Sequence, residues 1–529
     1  MKSASERMEP EDTRSAGTVA LPAGASGRRT WIAPILLLAA ALVLVLANLG
    51  NHYLWQDEAQ TALIGKTILS HGTPRGTDGK NFFSQERGSE YGKNYIWRWH
   101  AWLQFYLVAP SLALLGSTTI AARLPFALLG VATVLLTYFL AKRLYGSTKA
   151  GVLAALLLVT SVPFLLLVRQ CRYYSAAAFF SLLGLHAYLS LLQRKRGSAI
   201  LFVVATTLVV HSHHIYIAPL LATTFLHAAF FHRERLRLVF LTSAVAVLIN
   251  LPALLWFLGA PYEERYVMTA VAVRVSLAYY AEQMARHLFH PALLLLAALN
   301  GAFAWWRRGH PPRPGPRTVQ ALSLLALFVL TTFVVLCVSN PQQHFRYLAP
   351  MIPAVCLVIA LILERTHTVV AGAVLVALAL HGSMLDYVYE ITHDYRGPVK
   401  GIVSYLREHS DPDDTVAISY DDLPVKFYTP LRVIGGLTGE DLSDAKRADF
   451  VIVRYHFSCG KDQYVRSFLI KNVDFINYRR VTIDYPDLPT ENREDPFYHA
   501  FRTVEDAARV VIFVRDEELG AERAKRKQR

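Results

Sequence analysis

Long apolar runs recur from residue 31 to residue 388, and they constrain the fold of this chain more than any other feature. Several of them reach the roughly 20 residues that an α-helix needs to cross a bilayer. Of the 529 residues, 53% are hydrophobic and only 18% are charged, whereas about 25% are charged in a typical soluble domain. The sequence therefore predicts a mainly α-helical, polytopic membrane protein.

The charge distribution argues against a nucleic-acid partner. Lys and Arg outnumber Asp and Glu by 54 to 40, which gives a net charge of +14. The basic residues cluster in short loops between apolar runs, a pattern that orients membrane proteins. The four cysteines form no Cys-x-x-Cys pair, so the sequence predicts neither a disulfide framework nor a cysteine metal site.

About eleven spans fit the apolar runs. Because Arg28-Arg29 precedes the first run, the positive-inside rule places the N-terminus in the cytoplasm and the C-terminal part outside the cell (inner) membrane. The predicted spans are Trp31–Leu49, Thr119–Ala141, Ala150–Val168, Tyr174–Leu192, Ser198–Val210, Ile215–Phe231, Leu238–Leu258, Pro291–Trp306, Thr318–Val338, Tyr347–Leu363 and Val369–Tyr387.

Polar stretches divide the chain further. We expect a disordered cytoplasmic tail (1–30), a transmembrane domain (31–390) with long outer loops (51–100 and 260–290), a small extracytoplasmic α/β domain (396–515) and a charged tail (516–529). In the α/β domain, Val399–Glu408 is typical of a helix. Short β-branched runs at 415–419, 450–453, 481–485 and 510–514 predict a small sheet covered by helices.

The adjacent carboxylates Asp57 and Glu58 follow the first predicted span directly. Ionisable residues at a membrane face are costly enough to suggest a purpose, here a general base or a carboxylate that orients a substrate. A solvated helix start is the alternative, because acidic residues favour a helix N-terminus.

Arginines occur on the predicted outer face, where the positive-inside rule does not expect them. Arg172 is followed by Tyr173, and Arg346 by Tyr347. Arginine binds phosphate through two parallel hydrogen bonds, and aromatic neighbours pack against a prenyl chain or a sugar. These side chains therefore suggest a phosphate-binding site, with interfacial contacts to lipid headgroups as the alternative.

Further basic and imidazole side chains lie in the same predicted loops. Lys93, Arg98 and His100 belong to the first outer loop, and His211 and His214 share a possible helix face. A metal site at the two histidines is conceivable, but no cysteine or carboxylate with suitable spacing accompanies them. The sequence predicts no metal site there and favours hydrogen bonding to a substrate, or a structural turn. Lys93 and Arg98 are either donor-binding or simply solvated.

Several segments together resemble the GT-C glycosyltransferases, and more narrowly the protein O-mannosyltransferase and aminoarabinose–lipid A transferase branch. They are the Asp57-Glu58 pair, the segments 116–125 and 141–146, Arg172-Tyr173-Tyr174, the His-rich hairpin and the segment 346–350. The resemblance covers about residues 31–390. It implies a GT-C membrane fold that carries an active site at the membrane face.

The resemblance also implies roles for individual residues. The acidic residue after the first span belongs to the family's active site, a role that falls to Asp57 with Glu58 beside it. The family's basic and aromatic residues hold a polyprenyl-phosphate sugar, a role that falls to Arg172, Arg346 and Tyr347. The Lys-Pro-Pro-Leu stretch of the aminoarabinose branch is not present. The segment 97–102 takes its place, and His100 is expected to substitute for that stretch.

The expected activity is inverting transfer of a sugar from a polyprenyl-phosphate donor to a lipid, glycan or protein acceptor at the outer face. Arg172 and Arg346 would stabilise the leaving phosphate, and Asp57 would accept the acceptor's proton. The sequence does not decide whether a divalent ion assists Asp57 and Glu58. A flippase or transporter of a lipid-linked sugar is the main alternative, although the spans carry few central ionisable residues and no internal repeat. A membrane-anchored scaffolding protein is a second alternative.

Overall fold

The computed structural model describes residues 31–259, 269–288, 302, 306, 315–339, 343–366, 368–454, 463–489 and 492–516. Most of these residues are helical, and a small sheet lies near the C-terminal end. The helices before residue 260 are α1 (Ile32–Leu46), α2 (Gln56–His71), α3 (Leu103–Leu115), α4 (Thr119–Tyr145), α5 (Thr148–Val159), α6 (Val162–Val168), α7 (Tyr174–Leu192), α8 (Ser198–Ser212), α9 (Ile217–Phe231) and α10 (Leu236–Leu258).

The helices that follow are α11 (Ala270–Gln283), α12 (Pro316–Ser339), α13 (Met351–Glu364), α14 (Thr368–Ala379), α15 (Gly382–Thr392), α16 (Pro398–His409), α17 (Asp422–Tyr428) and α18 (Gln463–Asn472). The strands are β1 (Thr415–Ile418), β2 (Arg432–Gly435), β3 (Phe450–Ile452), β4 (Tyr478–Pro486) and β5 (Arg509–Arg515).

Five described helical segments are long and apolar enough to cross a membrane: Thr119–Tyr145, Tyr174–Leu192, His214–Phe231, Arg233–Leu258 and Pro316–Ser339. Two bent pairs, α5 with α6 and α14 with α15, raise the number to seven if each pair is one span. The expectation of a mainly helical, multi-pass membrane protein is therefore confirmed. The count of eleven stays a prediction, and the proposed span Pro291–Trp306 falls largely outside the described residues.

The bend of 68° between α5 and α6 has a local cause. Pro163 lies in the first turn of α6 and supplies no backbone N–H, and a residue before proline is disfavoured in helical geometry. The chain therefore leaves the axis of α5 at Thr160 and starts a new helix. α6 ends at Val168, and the turn that carries Arg172 follows within four residues.

The helix α2 occupies the first long loop and does not belong to the apolar spans. It begins after Trp55, carries Asp57 and Glu58 in its first turn, and ends at Gly72 in the left-handed conformation with φ 69°. Ten of its residues are buried, because α3 and α17 pack against it. The acidic first turn is thus held inside the protein.

The strands form one sheet in the order β2-β1-β3-β5-β4. β1 pairs in parallel with β2 and β3, whereas β5 is antiparallel to β3 and β4. Strands lie at the four predicted β-branched runs, and β2 is an additional strand. We call the five strands with α17, α18 and the loops between them (residues 415–515) the sheet unit. This unit contacts α2 directly, because the Gln56 amide donates to Asp422 Oδ1 over 2.7 Å.

Candidate active site

Asp57 is the centre of a charged cluster at the start of α2. Its Oδ2 atom lies 2.7 Å from Arg346 Nη1 and 3.5 Å from Arg172 Nη2. Its Oδ1 atom accepts a hydrogen bond of 3.1 Å from the Gln85 amide. The structure therefore brings together three residues that the sequence predicts for the site from three separate regions of the chain.

Arg172 is held in place by the first two turns of α2. Its Nη1 atom donates to the Asp57 backbone carbonyl over 3.2 Å and to Thr61 Oγ1 over 3.1 Å. Its Nη2 atom lies 3.3 Å from His100 Nε2. With 2% of its side chain exposed, the guanidinium has a fixed orientation, as a preorganised anion site requires.

Arg346 reaches the same carboxylate from a short 3₁₀ turn, Phe345–Leu348, that precedes α13. It also lies 3.4 Å from Glu494 Oε1 and donates to the Tyr174 hydroxyl over 3.4 Å. Glu494 belongs to a loop between β4 and β5. The C-terminal sheet unit therefore contributes directly to the charged cluster.

The electrostatics of the cluster favour an ionised Asp57. Burial raises the pKa of this carboxyl, but Arg172, Arg346 and the Gln85 hydrogen bond outweigh burial and hold the pKa well below its usual range. Burial and Arg172 keep the pKa of His100 well below 6.5. Burial and Arg346 lower the pKa of His344 to about 3. Near neutral pH the site thus holds an ionised carboxylate, charged guanidiniums and neutral imidazoles.

Glu58 has a different environment from its neighbour. Its two carboxylate oxygens accept hydrogen bonds from Arg123 Nε (2.8 Å) and Nη2 (2.6 Å), and the side chain is fully buried. The backbone N–H of Cys171 and the amide of Asn492 donate to the same carboxylate over 2.7 and 2.8 Å. These contacts connect Glu58 to Arg123, to the turn that carries Arg172 and to the C-terminal loop.

Aromatic and imidazole rings line one side of the cluster. The ring of His213 lies 4.7 Å from that of Tyr173 and 5.6 Å from that of Tyr347. His214 stacks on His213 at 5.2 Å, and both His214 and His211 contact the ring of Phe257. Among the described residues, no cysteine or carboxylate joins His211 and His214 in a metal-binding group.

The predicted basic residues of the first loop, Lys93 and Arg98, lie away from Asp57 in different surroundings. Arg98 stacks over the ring of Trp256 at 4.4 Å and donates to the Gly259 carbonyl, at the end of α10. Lys93 is exposed, and the structure records no contact between it and the described residues of the cluster.

Four further residues complete the cluster without having been predicted for it: Gln85, His344, Arg493 and Glu494. The Arg493 guanidinium lies 4.8 Å from the centre of the Trp55 ring and acts electrostatically on Asp57. The position of His344, two residues before the predicted Arg346, is a sequence signal that could have identified it. Arg493 and Glu494 gave none, because charged residues are ordinary in a polar domain.

Comparisons with known proteins bear on the chemistry of this cluster. A family model described as dolichyl-phosphate-mannose-protein mannosyltransferase matches residues 99–256. The crystal structure of ArnT from Cupriavidus metallidurans bound to undecaprenyl phosphate has a TM-score of 0.56 and 14% identity, over 90% of this chain and 97% of ArnT. The predicted resemblance to GT-C glycosyltransferases is confirmed.

Two other GT-C structures share the fold. The apo state of the same ArnT has a TM-score of 0.55 at 14% identity, over 93% of this chain and 99% of ArnT. The Archaeoglobus fulgidus oligosaccharyltransferase has a TM-score of 0.53 at 15% identity, over 88% of this chain and 75% of its own. No curated protein matches the chain in sequence. The family match and the GT-C fold together indicate a membrane glycosyltransferase.

Proposed function

We propose that the protein transfers a sugar, with inversion, from a polyprenyl-phosphate donor to an acceptor hydroxyl or amine at the outer face of the membrane. The observation that carries this proposal is the placement of Asp57 between Arg172 and Arg346. A carboxylate and two guanidiniums in one site supply both a proton acceptor and an anion-binding pair. The likeness to ArnT, which has been crystallised with undecaprenyl phosphate, supports this class of donor.

Donor binding follows from the charges of the cluster. Three guanidiniums (Arg172, Arg346 and Arg493) surround two carboxylates, Asp57 and Glu494, so one positive charge is in excess. A phosphate diester adds one negative charge and binds guanidiniums through paired hydrogen bonds. In the proposed complex the donor phosphate shares Arg172 and Arg346 with Asp57, and the ring of Tyr347 packs against the donor.

Binding of the donor phosphate to the two arginines would also activate Asp57. In the described structure two arginines depress its pKa, and a carboxylate so stabilised is a weak base. Once a phosphate binds both arginines, its negative charge offsets their positive charges at Asp57, and the pKa of this carboxylate rises. Donor binding thereby prepares the carboxylate to accept a proton.

The transfer is a single displacement. The acceptor oxygen or nitrogen attacks the anomeric carbon and passes its proton to Asp57. The bond between that carbon and the phosphate oxygen breaks at the same time, and the polyprenyl phosphate leaves as an anion. Arg172 and Arg346 neutralise the negative charge that develops on this oxygen, which is where preorganised donors contribute most to rate. Attack opposite the leaving group inverts the anomeric configuration.

The proposed orientation places this chemistry outside the cytoplasm. It rests on the basic loops that alternate with loops poor in Lys and Arg, and it sets the N-terminus inside and the sheet unit outside. The sheet unit contributes Asn492, Arg493 and Glu494 to the site or its support. A bacterial inner membrane with a lipid, glycan or protein acceptor fits this arrangement.

Transfer by the purified full-length protein in lipid tests the proposal. Radiolabelled polyprenyl-phosphate sugars are incubated with wild type, Asp57→Asn and the control Asp413→Asn, which changes an exposed turn. We expect one donor to lose its sugar with wild type and control, and Asp57→Asn to be slower by about 10²–10⁴-fold. Undiminished transfer by Asp57→Asn would exclude Asp57 as the base. Vectorial movement of intact donor without cleavage would identify a transporter instead.

A further inference from the structure

A second cluster of buried polar side chains joins α15 to the loop between β4 and β5. His52 follows α1, Glu390 lies near the end of α15, and His499 belongs to the loop between β4 and β5. One ligand atom from each of the three residues lies within 4.8 Å of the other two. All three side chains are buried, with at most 8% of each residue exposed.

Hydrogen bonding fixes the orientation of the His499 ring toward Glu390. Its Nδ1 atom is 2.8 Å from the Arg493 carbonyl, which can only accept, so Nδ1 carries the hydrogen. The opposite nitrogen, Nε2, lies 2.7 Å from Glu390 Oε2. The short contact between this ring nitrogen and a carboxylate oxygen requires a proton or a metal cation between the two atoms. Donation from the second ring nitrogen to a carbonyl is also how metal-bound histidines are commonly oriented.

His52 supplies an independent observation. Neither of its ring nitrogens has a hydrogen-bond partner among the described residues, although only 2% of the residue is exposed. Its Nε2 atom is 3.9 Å from Glu390 Oε1. Buried polar atoms are nearly always satisfied, so an unpaired imidazole aimed at a carboxylate points to a missing ligand.

We propose that His52, Glu390 and His499 bind one divalent transition-metal ion of the zinc type. Two imidazole nitrogens and one carboxylate oxygen are ligands that Zn²⁺ accepts, whereas Mg²⁺ and Ca²⁺ prefer oxygen alone. Arg169, 4.0 Å from Glu390 Oε1, is the nearest recorded competing cation. Its guanidinium is already bound to the carbonyls of Val45, Ala47 and Asn48 at the end of α1, which leaves the carboxylate available.

The ion would connect α15 to two parts of the chain that contribute to the active site. His52 lies five residues before Asp57, and the loop that carries His499 also carries Arg493 and Glu494. Metal binding at these positions fixes that loop against the first turn of α2. This positioning role rests on the proposed function, whereas the binding of the ion does not.

Zinc binding by the full-length protein in detergent, with any affinity tag removed, tests the site. Protein stripped with a chelator is titrated with Zn²⁺ in competition with a fluorescent chelator, and the bound metal is measured by mass spectrometry. The variants are His52→Phe, which keeps a ring to stack on Tyr395, and His499→Gln. His409→Gln, on the exposed end of α16, is the matched control. We expect one equivalent in wild type and control, and affinity at least about tenfold weaker in both ligand variants.

Two results would overturn the site: no stoichiometric Zn²⁺ in wild type, or equal affinity in wild type and His52→Phe. The thermal midpoint of wild type should rise on addition of Zn²⁺, whereas that of His52→Phe should not. This comparison keeps the test valid if His499→Gln fails to fold. Asp57→Asn should keep full zinc affinity, so a failure of the proposed transferase reaction is distinguishable from a failure of the metal site.

Discussion

Arg346 Nη1 lies 2.7 Å from Asp57 Oδ2, although the two residues are 289 positions apart in the chain. The ion pair connects the first turn of α2 with the 3₁₀ turn before α13, and both side chains remain 14% exposed. A paired arginine that solvent can still reach can exchange partners with an incoming anion. This exchange makes the ion pair the first place to test.

Removal of the Asp57 charge should strengthen donor binding while it slows transfer. In Asp57→Asn the two arginines lose their competing carboxylate, so a phosphate no longer shares them with a second negative charge. We expect the Kd for undecaprenyl phosphate to fall by about tenfold, or about 1.4 kcal/mol. Tryptophan fluorescence or scintillation proximity with labelled lipid measures the change. Weaker lipid binding by Asp57→Asn than by wild type would argue against the exchange of partners.

The two arginines should each be sensitive to loss of the guanidinium geometry. Arg172→Lys and Arg346→Lys keep the charge but lose the paired hydrogen bonds, so we expect kcat/KM to fall by about 10²–10³-fold. Steady-state transfer with a fixed acceptor provides the measurement. Arg432→Lys, at an exposed ion pair with Asp444, is the matched control and should keep wild-type kinetics. Wild-type rates in both site variants would exclude a phosphate-binding role.

Glu58 should prove essential for stability. Glu58→Gln leaves the buried Arg123 guanidinium without its charged partner, and removal of one partner of a buried ion pair costs about 3–5 kcal/mol. Thermal unfolding in detergent should show this loss, and Arg123→Gln should lose a similar amount. The folded fraction of Glu58→Gln should retain far more transfer than Asp57→Asn does. Normal stability with abolished transfer would instead make Glu58 a catalytic residue.

Glu90 should give the protein a pH-dependent stability. Burial raises the pKa of Glu90 from 4.5 to about 7, against hydrogen bonds from Ser84 and from the backbone. Between these values the folded protein holds a proton that the unfolded chain releases, so stability falls as the pH rises from 4.5 to about 7. The loss is on the order of 3 kcal/mol. Thermal midpoints measured across this range should decline for wild type relative to Glu90→Gln, which stays neutral, and parallel curves would contradict the assignment.

Much of the fold follows from patterns that are local in the sequence. Apolar runs specify membrane helices because each helix satisfies its own backbone hydrogen bonds, so length and composition suffice. The β-branched runs near the C-terminus specify strands for a similar local reason. The strand β2 was missed because its four residues follow Pro430 and Leu431 and show no alternation. It is a strand because it pairs in parallel with β1.

The candidate site likewise has a part that local sequence predicts and a part that it does not. The sequence by itself determined that a carboxylate pair follows the first apolar helix and that arginines follow later ones. Only the tertiary structure decided that Asp57 meets Arg172 and Arg346 while Glu58, one residue later, turns to Arg123. Successive residues of a helix point about 100° apart, so adjacent carboxylates enter different environments. Which environment each one meets depends on segments far along the chain, and the sequence carries no local signal for that.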